Sequence, residues 1–151
     1  MNKLTGLVVA AVVIAGAVGC GGDDKKPLSK GADDKKPLSK GAYVKQGNAI
    51  CKRGDKKIDA GASEFKGKPT PKQFKTFVTK RFVPSVEDQV KQLRELEPPK
   101  GDKAKVEKIY KLADAGVAKV KADPSSIAKK PDPFGKAEQS LRAYGLTVCG
   151  S

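Results

Sequence analysis

Few side chains in this sequence could act together as nucleophiles, general bases or metal ligands. The 151 residues contain three cysteines, Cys20, Cys51 and Cys149, and no histidine. Without histidine, the Ser-His-Asp and Cys-His arrangements of hydrolases cannot form, and zinc sites that use imidazole are excluded as well. We therefore predict no catalytic residue, no metal site, no cofactor and no enzymatic activity.

Carboxylates occur in close pairs, the arrangement that glycosidases use for acid–base chemistry. The pairs are Asp55 with Asp59, Glu87 with Asp88, and Glu95 with Glu97. Each pair lies among lysines and arginines, which is typical of a solvated, salt-bridged surface. We also consider an enzyme that works through carboxylates and lysine. Such an enzyme requires a buried pair of carboxylates with shifted pKa values.

Other motifs for ligand chemistry are weak. The sequence has no glycine-rich phosphate loop followed by Lys-Ser/Thr and no dinucleotide fingerprint. Tyr43, Tyr110 and Tyr144 could line a ligand pocket. Tyrosines at helical spacing more often pack in a core with the hydroxyl at the surface, and we favour that interpretation.

Residues 1–20 have the organisation of an export signal. Lys3 precedes an apolar stretch from Leu4 to Val18, and the small residue Gly19 stands before Cys20. The stretch is shorter than the ~20 apolar residues that a membrane-spanning helix needs. We predict that residues 1–19 are a signal peptide.

The residues Ala17, Val18, Gly19 and Cys20 resemble the lipobox of bacterial prolipoproteins, with Ala17 where leucine is usual. The resemblance implies that a diacylglyceryl group is added to the Cys20 sulfur, that signal peptidase II cuts before Cys20, and that the new amino group is acylated. Two or three acyl chains hold a protein firmly at a membrane, at about 0.8 kcal/mol per buried CH₂. The implied location is the outer face of the cell membrane, or the outer membrane in a host that has one.

A ten-residue sequence occurs twice after the lipobox. Residues 23–32 read DDKKPLSKGA, and residues 33–42 repeat them without change. The period is shorter than that of solenoid repeats, and one leucine in each copy cannot bury a core. We predict that residues 20–42 are the lipidated cysteine and a disordered linker, which spaces the domain about 25 Å from the membrane.

Residues 43–151 have the apolar periodicity of helices. The first predicted helix has one face formed by Tyr43, Gly47, Ile50, Cys51, Gly54 and Ile58. We expect its glycines to allow close approach of a neighbouring helix, because glycine on an apolar face otherwise costs about 1 kcal/mol. The second runs from Pro71 to about Leu96, with a kink at Pro84.

A third helix is predicted from about Asp102 to Ala122, and a short fourth helix is capped by Asp132, has Pro133 at its first position and ends at Gly145. No segment alternates in the manner of a strand. The predicted fold class is all-α, an irregular four-helix bundle closed by one disulfide.

The disulfide prediction pairs Cys51 with Cys149. If Cys20 carries lipid, these are the two thiols left in an oxidising compartment. The alternative is a reactive thiol or metal ligand, which no histidine or further cysteine of the domain would support.

The net charge of +14 constrains the choice of partners. Such a charge attracts anionic lipids or wall polymers, and it also keeps a domain soluble. We predict a membrane-anchored envelope lipoprotein with a binding or structural role, no nucleic-acid partner and a protein partner that the sequence does not identify. The alternative is a lipoprotein that holds a small apolar molecule between its helices.

Overall fold

The computed structural model of the chain describes residues 36–149, and every regular element in that part is a helix. The elements are α1 (Lys40–Ala62), α2 (Pro71–Phe77), a π-helix (Val78–Phe82), α3 (Val83–Arg94), α4 (Lys103–Ala122), a 3-10 helix (Pro124–Ala128) and α5 (Gly135–Tyr144). No strand occurs between residues 36 and 149. The all-α prediction is therefore confirmed for this range.

Helix α1 begins three residues before the predicted boundary at Tyr43. Ser39 is its N-cap, and the Ser39 hydroxyl accepts a hydrogen bond from the backbone N–H of Ala42 at 3.2 Å. The backbone N–H of Leu38 donates to the carbonyl of Glu97 at 3.2 Å, and the Leu38 side chain packs against the core. The predicted linker, residues 20–42, is therefore wrong over residues 38–42, because a capping serine and a docked leucine attach them to the domain.

The predicted second helix is one helical run made of α2, the π-helix and α3. Thr70 caps its first turn, and the Thr70 hydroxyl accepts a hydrogen bond from the backbone N–H of Gln73 at 3.3 Å. Pro84 has no N–H to donate to the preceding turn. The backbone widens just before it, and the N–H of Val83 donates to the carbonyl of Val78, five residues back. The structure thus accommodates Pro84 with a π turn.

Helix α5 begins later than predicted. Asp132 accepts a hydrogen bond from the backbone N–H of Phe134 at 2.8 Å, so it forms a local turn, and the helix starts at Gly135. Pro133 is therefore outside the helix. Gly145 ends α5 with a φ of 108°, a left-handed conformation that glycine adopts without strain, as predicted.

Two apolar clusters form the core. Helix α1 packs on α3, α3 on α4, and α4 on α5. The larger cluster includes Tyr43, Ile50, Cys51, Leu93, Ile109 and Leu146, and the smaller one includes Val78, Val83, Val120 and Phe134. The burial of α1 follows the predicted face from Tyr43 to Gly54, whereas Ile58 on that face is only partly buried.

Two glycines of α1 make the close contacts that their positions predicted. A methyl group added at Gly47 would overlap the Leu146 side chain, and one added at Gly54 would overlap the amide of Gln89 on α3. These glycines allow α3 and the segment after α5 to approach the α1 backbone.

Candidate functional site

The predicted lipidation and cleavage residues, Ala17, Val18, Gly19 and Cys20, lie outside the described residues. The same holds for the predicted signal peptide, residues 1–19, and for the linker up to residue 35.

Cys51 and Cys149 form the predicted disulfide, with Cα atoms 5.0 Å apart. The segment after α5 is also bound to α1 through Asn48, whose side-chain oxygen accepts from the backbone N–H of Val148 at 3.0 Å. Leu146 is fully buried beside Gly47. Residues 146–149 are therefore held against one side of α1.

A cavity of about 120 Å³ lies beside this disulfide, among α1, α3, α4 and α5. Apolar side chains supply most of its wall, among them Ile58, Phe82, Val86, Leu93, Phe134 and Leu141. The volume is close to the ~150 Å³ of apolar cavities that accept benzene. The cavity is thus large enough for a small organic molecule.

Three polar side chains, Asp55, Gln89 and Glu138, interrupt this apolar wall. Gln89 is 8% exposed, and its amide has no hydrogen-bond partner among residues 36–149. The Asp55 carboxyl likewise has no ion pair or hydrogen bond with the described part of the chain. Asp55 is half-buried and the amide of Gln89 keeps contact with solvent, so both groups are open to hydrogen bonding by a ligand.

The surroundings also disfavour charge on the two carboxyls of the cavity. Burial raises the pKa of Asp55, and the negative charge of Asp59 raises it further. Burial raises the pKa of Glu138 as well, with a second contribution from Asp132, while Arg142, 3.8 Å away, and Lys130 oppose the shift. A bound cation would lower the pKa of both groups and so favour their charged carboxylate forms.

The other predicted carboxylate pairs lie at the surface. Glu87 pairs with Lys121 at 2.6 Å, and Asp88 pairs with Lys57 at 3.1 Å, which lowers the pKa of Asp88. Glu95 is exposed. The salt-bridged interpretation therefore fits Glu87 and Asp88, whereas Asp55 lies in the cavity wall.

The tyrosines form a packed cluster and do not line the cavity. The hydroxyls of Tyr43 and Tyr110 are hydrogen-bonded, and the Tyr144 hydroxyl donates to the Asp102 carboxylate at 2.7 Å. The rings of Tyr43 and Tyr144 meet edge to face, with centroids 5.9 Å apart. The packing interpretation is correct, but the expected surface position of the hydroxyls is wrong for Tyr43 and Tyr110, whose hydroxyls are buried.

A second depression, which we name the basic groove, lies between the end of α1 and α2. It has a volume of about 700 Å³ and is lined by Glu64, Phe65, Lys72, Phe77, Lys80 and Arg81. Residues 64–81 carry six Lys or Arg and one Glu. This is a strongly cationic surface, and two aromatic rings, 5.6 Å apart between centroids, form part of it.

Sequence reasoning missed Gln89 and Glu138. Gln89 lies three residues after Val86 and four before Leu93, so it is a polar residue on an apolar helix face. That pattern could have indicated it. Glu138 lies four residues after Phe134 and three before Leu141, so the same pattern could have indicated it.

Two further searches cover the described range only. Between residues 36 and 149, no three His, Cys, Asp or Glu side chains are grouped closely enough to hold a metal ion. No helix in this range has the length and apolar character required to cross a bilayer.

Comparison of the chain with protein-family models, curated proteins and solved structures finds no match.

Proposed function

We propose that this chain is the precursor of an exported lipoprotein, anchored through lipid on Cys20, whose domain works by binding and not by catalysis. The lipobox-like residues Ala17 to Cys20 support the anchor. The domain is an irregular four-helix bundle in this proposal, with the tether ending before Leu38. Its location is the outer face of a membrane.

The Cys51–Cys149 disulfide is the observation that carries the proposal. Disulfides persist in oxidising compartments outside the cytosol and are uncommon within it. The remaining cysteine is the one in the lipobox-like sequence, so the uses of all three cysteines agree with export.

The basic groove supports an anionic surface as the binding partner. Lys72, Lys80 and Arg81 line it, and a lipidated Cys20 would keep the domain near the membrane. Each basic residue near an anionic bilayer contributes about 1 kcal/mol. We propose that anionic lipid headgroups are its main partner.

Mass spectrometry of the membrane fraction tests the anchor. We expect a mature chain that begins at an acylated Cys20, and a Cys20→Ser variant that is neither acylated nor cut. A Gly22→Ser variant, changed outside the lipobox, should be processed normally. A soluble product cut at another position would overturn the proposal.

The cavity beside the disulfide favours a second candidate function, the binding of a small apolar molecule. Its volume and its apolar wall support this candidate. Native mass spectrometry of protein purified from its own envelope should then show an added small molecule, and a Val86→Phe variant with a narrowed cavity should lose it.

A further inference from the structure

The cavity wall contains polar groups that an apolar ligand could not hydrogen-bond. Asp55 and Gln89 come from facing helices, α1 and α3, and Glu138 comes from α5. All three present oxygen atoms that can accept hydrogen bonds, and two of them are carboxyls. A ligand that leaves these groups without partners would lose the free energy of their hydration.

An ammonium group matches these acceptors best. It has three donors and no acceptor, which matches in number the two carboxyls and the amide oxygen that line the cavity. An anionic ligand would be repelled by the carboxylates, and a neutral alcohol offers one donor. Since Gln89 is 8% exposed and lacks a partner within residues 36–149, the site has an unused acceptor before any ligand arrives.

The positive net charge of the chain acts weakly on this site. Charges farther away than about 8 Å are largely screened at physiological salt. Arg142 is the cation paired with Glu138, at 3.8 Å, and Asp55 has no such partner in the described range. The nearest charges therefore favour a cation at Asp55.

We propose that the cavity binds small molecules with an ammonium group on an apolar body, the ammonium held by Asp55, Glu138 and Gln89. This inference rests on the second candidate function, ligand binding in the cavity. The 120 Å³ volume limits the apolar body to about the size of one benzene ring.

Calorimetric titration with three matched probes tests the proposal. The probes are benzylammonium, benzyl alcohol and benzoate, which share a ring and differ in the charge of the attached group. The protein is the full, disulfide-bonded chain in mild detergent, with a detergent blank for partitioning. We expect benzylammonium to bind about tenfold more tightly than benzyl alcohol, and benzoate to show no binding.

Two variants test whether the Asp55 carboxylate is the charge that binds the ammonium group. Asp55→Asn should weaken benzylammonium binding about tenfold and leave benzyl alcohol unchanged, which also shows that the variant is folded. Asp59→Asn is the matched control, because Asp59 is exposed one turn farther along α1 and is not part of the cavity wall. It should change binding less than threefold.

Each other outcome has a distinct meaning. Equal binding of benzylammonium and benzyl alcohol would overturn the ammonium inference and leave the cavity as a site for apolar molecules. Equal losses in Asp55→Asn and Asp59→Asn would overturn it too. Absence of binding by all three probes would overturn both cavity proposals, while the lipid anchor is tested separately through Cys20.

Discussion

The Gln89 side chain lies across Gly54, at a position where the methyl group of an alanine would overlap its amide. The same α1 residue accepts a hydrogen bond at its carbonyl from the Ser85 hydroxyl, at 3.1 Å. Helices α1 and α3 therefore approach each other closely because Gly54 has no side chain, and this contact lies next to the cavity.

Gly54→Ala should destabilise the domain. The added methyl would force Gln89 to move, and such overpacking costs about 1–3 kcal/mol, more than the helix propensity gained from alanine. Gly41→Ala is the control, because nothing lies within 4 Å of a methyl group there. Urea unfolding should show a lower midpoint for the first variant and no loss for the second; equal midpoints would contradict this packing.

Reduction of the Cys51–Cys149 disulfide should strongly lower the stability. The two cysteines are 98 residues apart, and closing a loop of that length contributes about 4–5 kcal/mol in the chain-entropy model. Urea midpoints of the oxidised, reduced and Cys149→Ser proteins should show that loss in the last two. Free thiols in the unfolded, unreduced protein would show that the bond does not form.

The serine that caps α1 offers a prediction with an internal control. Ser39→Ala removes the acceptor for the Ala42 N–H and should cost about 1 kcal/mol. Ser29 occupies the same position in the first copy of the repeat, which we propose to be linker. Ser29→Ala should leave the midpoint of thermal unfolding unchanged, whereas equal effects of both changes would place the domain boundary elsewhere.

The contact between Tyr144 and Asp102 should make stability depend on pH. The hydrogen bond from Tyr144 lowers the pKa of Asp102, with a smaller contribution from Lys40. A lowered carboxyl pKa contributes stability above the unfolded value of about 3.9, and that contribution is lost as the pH falls through the native pKa.

Tyr144→Phe should therefore be less stable than the natural sequence at pH 7, and the difference should shrink toward pH 2. Thermal unfolding at pH 7, 4 and 2 measures it. In an Asp102→Asn background the pH dependence of the difference should vanish. A difference that is constant with pH would contradict the assignment.

The basic groove should govern attachment to anionic membranes. Unlipidated protein that begins at Gly21 should sediment with vesicles of anionic lipid and be released by salt. Reversing the charge at Lys72 and Lys80 should weaken this binding at least about tenfold.

Lys108 and Lys111 provide the charge-matched control for that experiment, since they are exposed on α4 and do not line the groove. Their reversal should have a much smaller effect. If both pairs of changes weaken binding equally, net charge and not the groove is responsible; if the natural sequence does not bind at low salt, the charge serves solubility.

The helices could be predicted because their apolar periodicity is a local signal. The disulfide could be predicted because the sequence has few cysteines to pair. Apolar residues at helical spacing place Tyr43, Ile50 and Cys51 on one buried face, and the pairing of Cys51 followed from the small number of cysteines. The π turn before Pro84 could not be predicted, because a proline permits either a kink or a wider turn and packing selects between them. The assembly of Asp55, Gln89 and Glu138 in one cavity could not be predicted either, since Asp55 and Glu138 are 83 positions apart and meet only through the fold.

The repeat has a consequence for how this chain can change over generations. Within the second copy, Leu38 packs against the core and Ser39 caps α1. Gain or loss of a whole copy by recombination therefore always leaves an intact PLSKGA in front of Tyr43. Each event would alter the reach of the chain by at most about 36 Å and leave the domain's own starting sequence untouched. In the lipoprotein that we propose, the length of the tether and the stability of the domain can thus be inherited as independent traits.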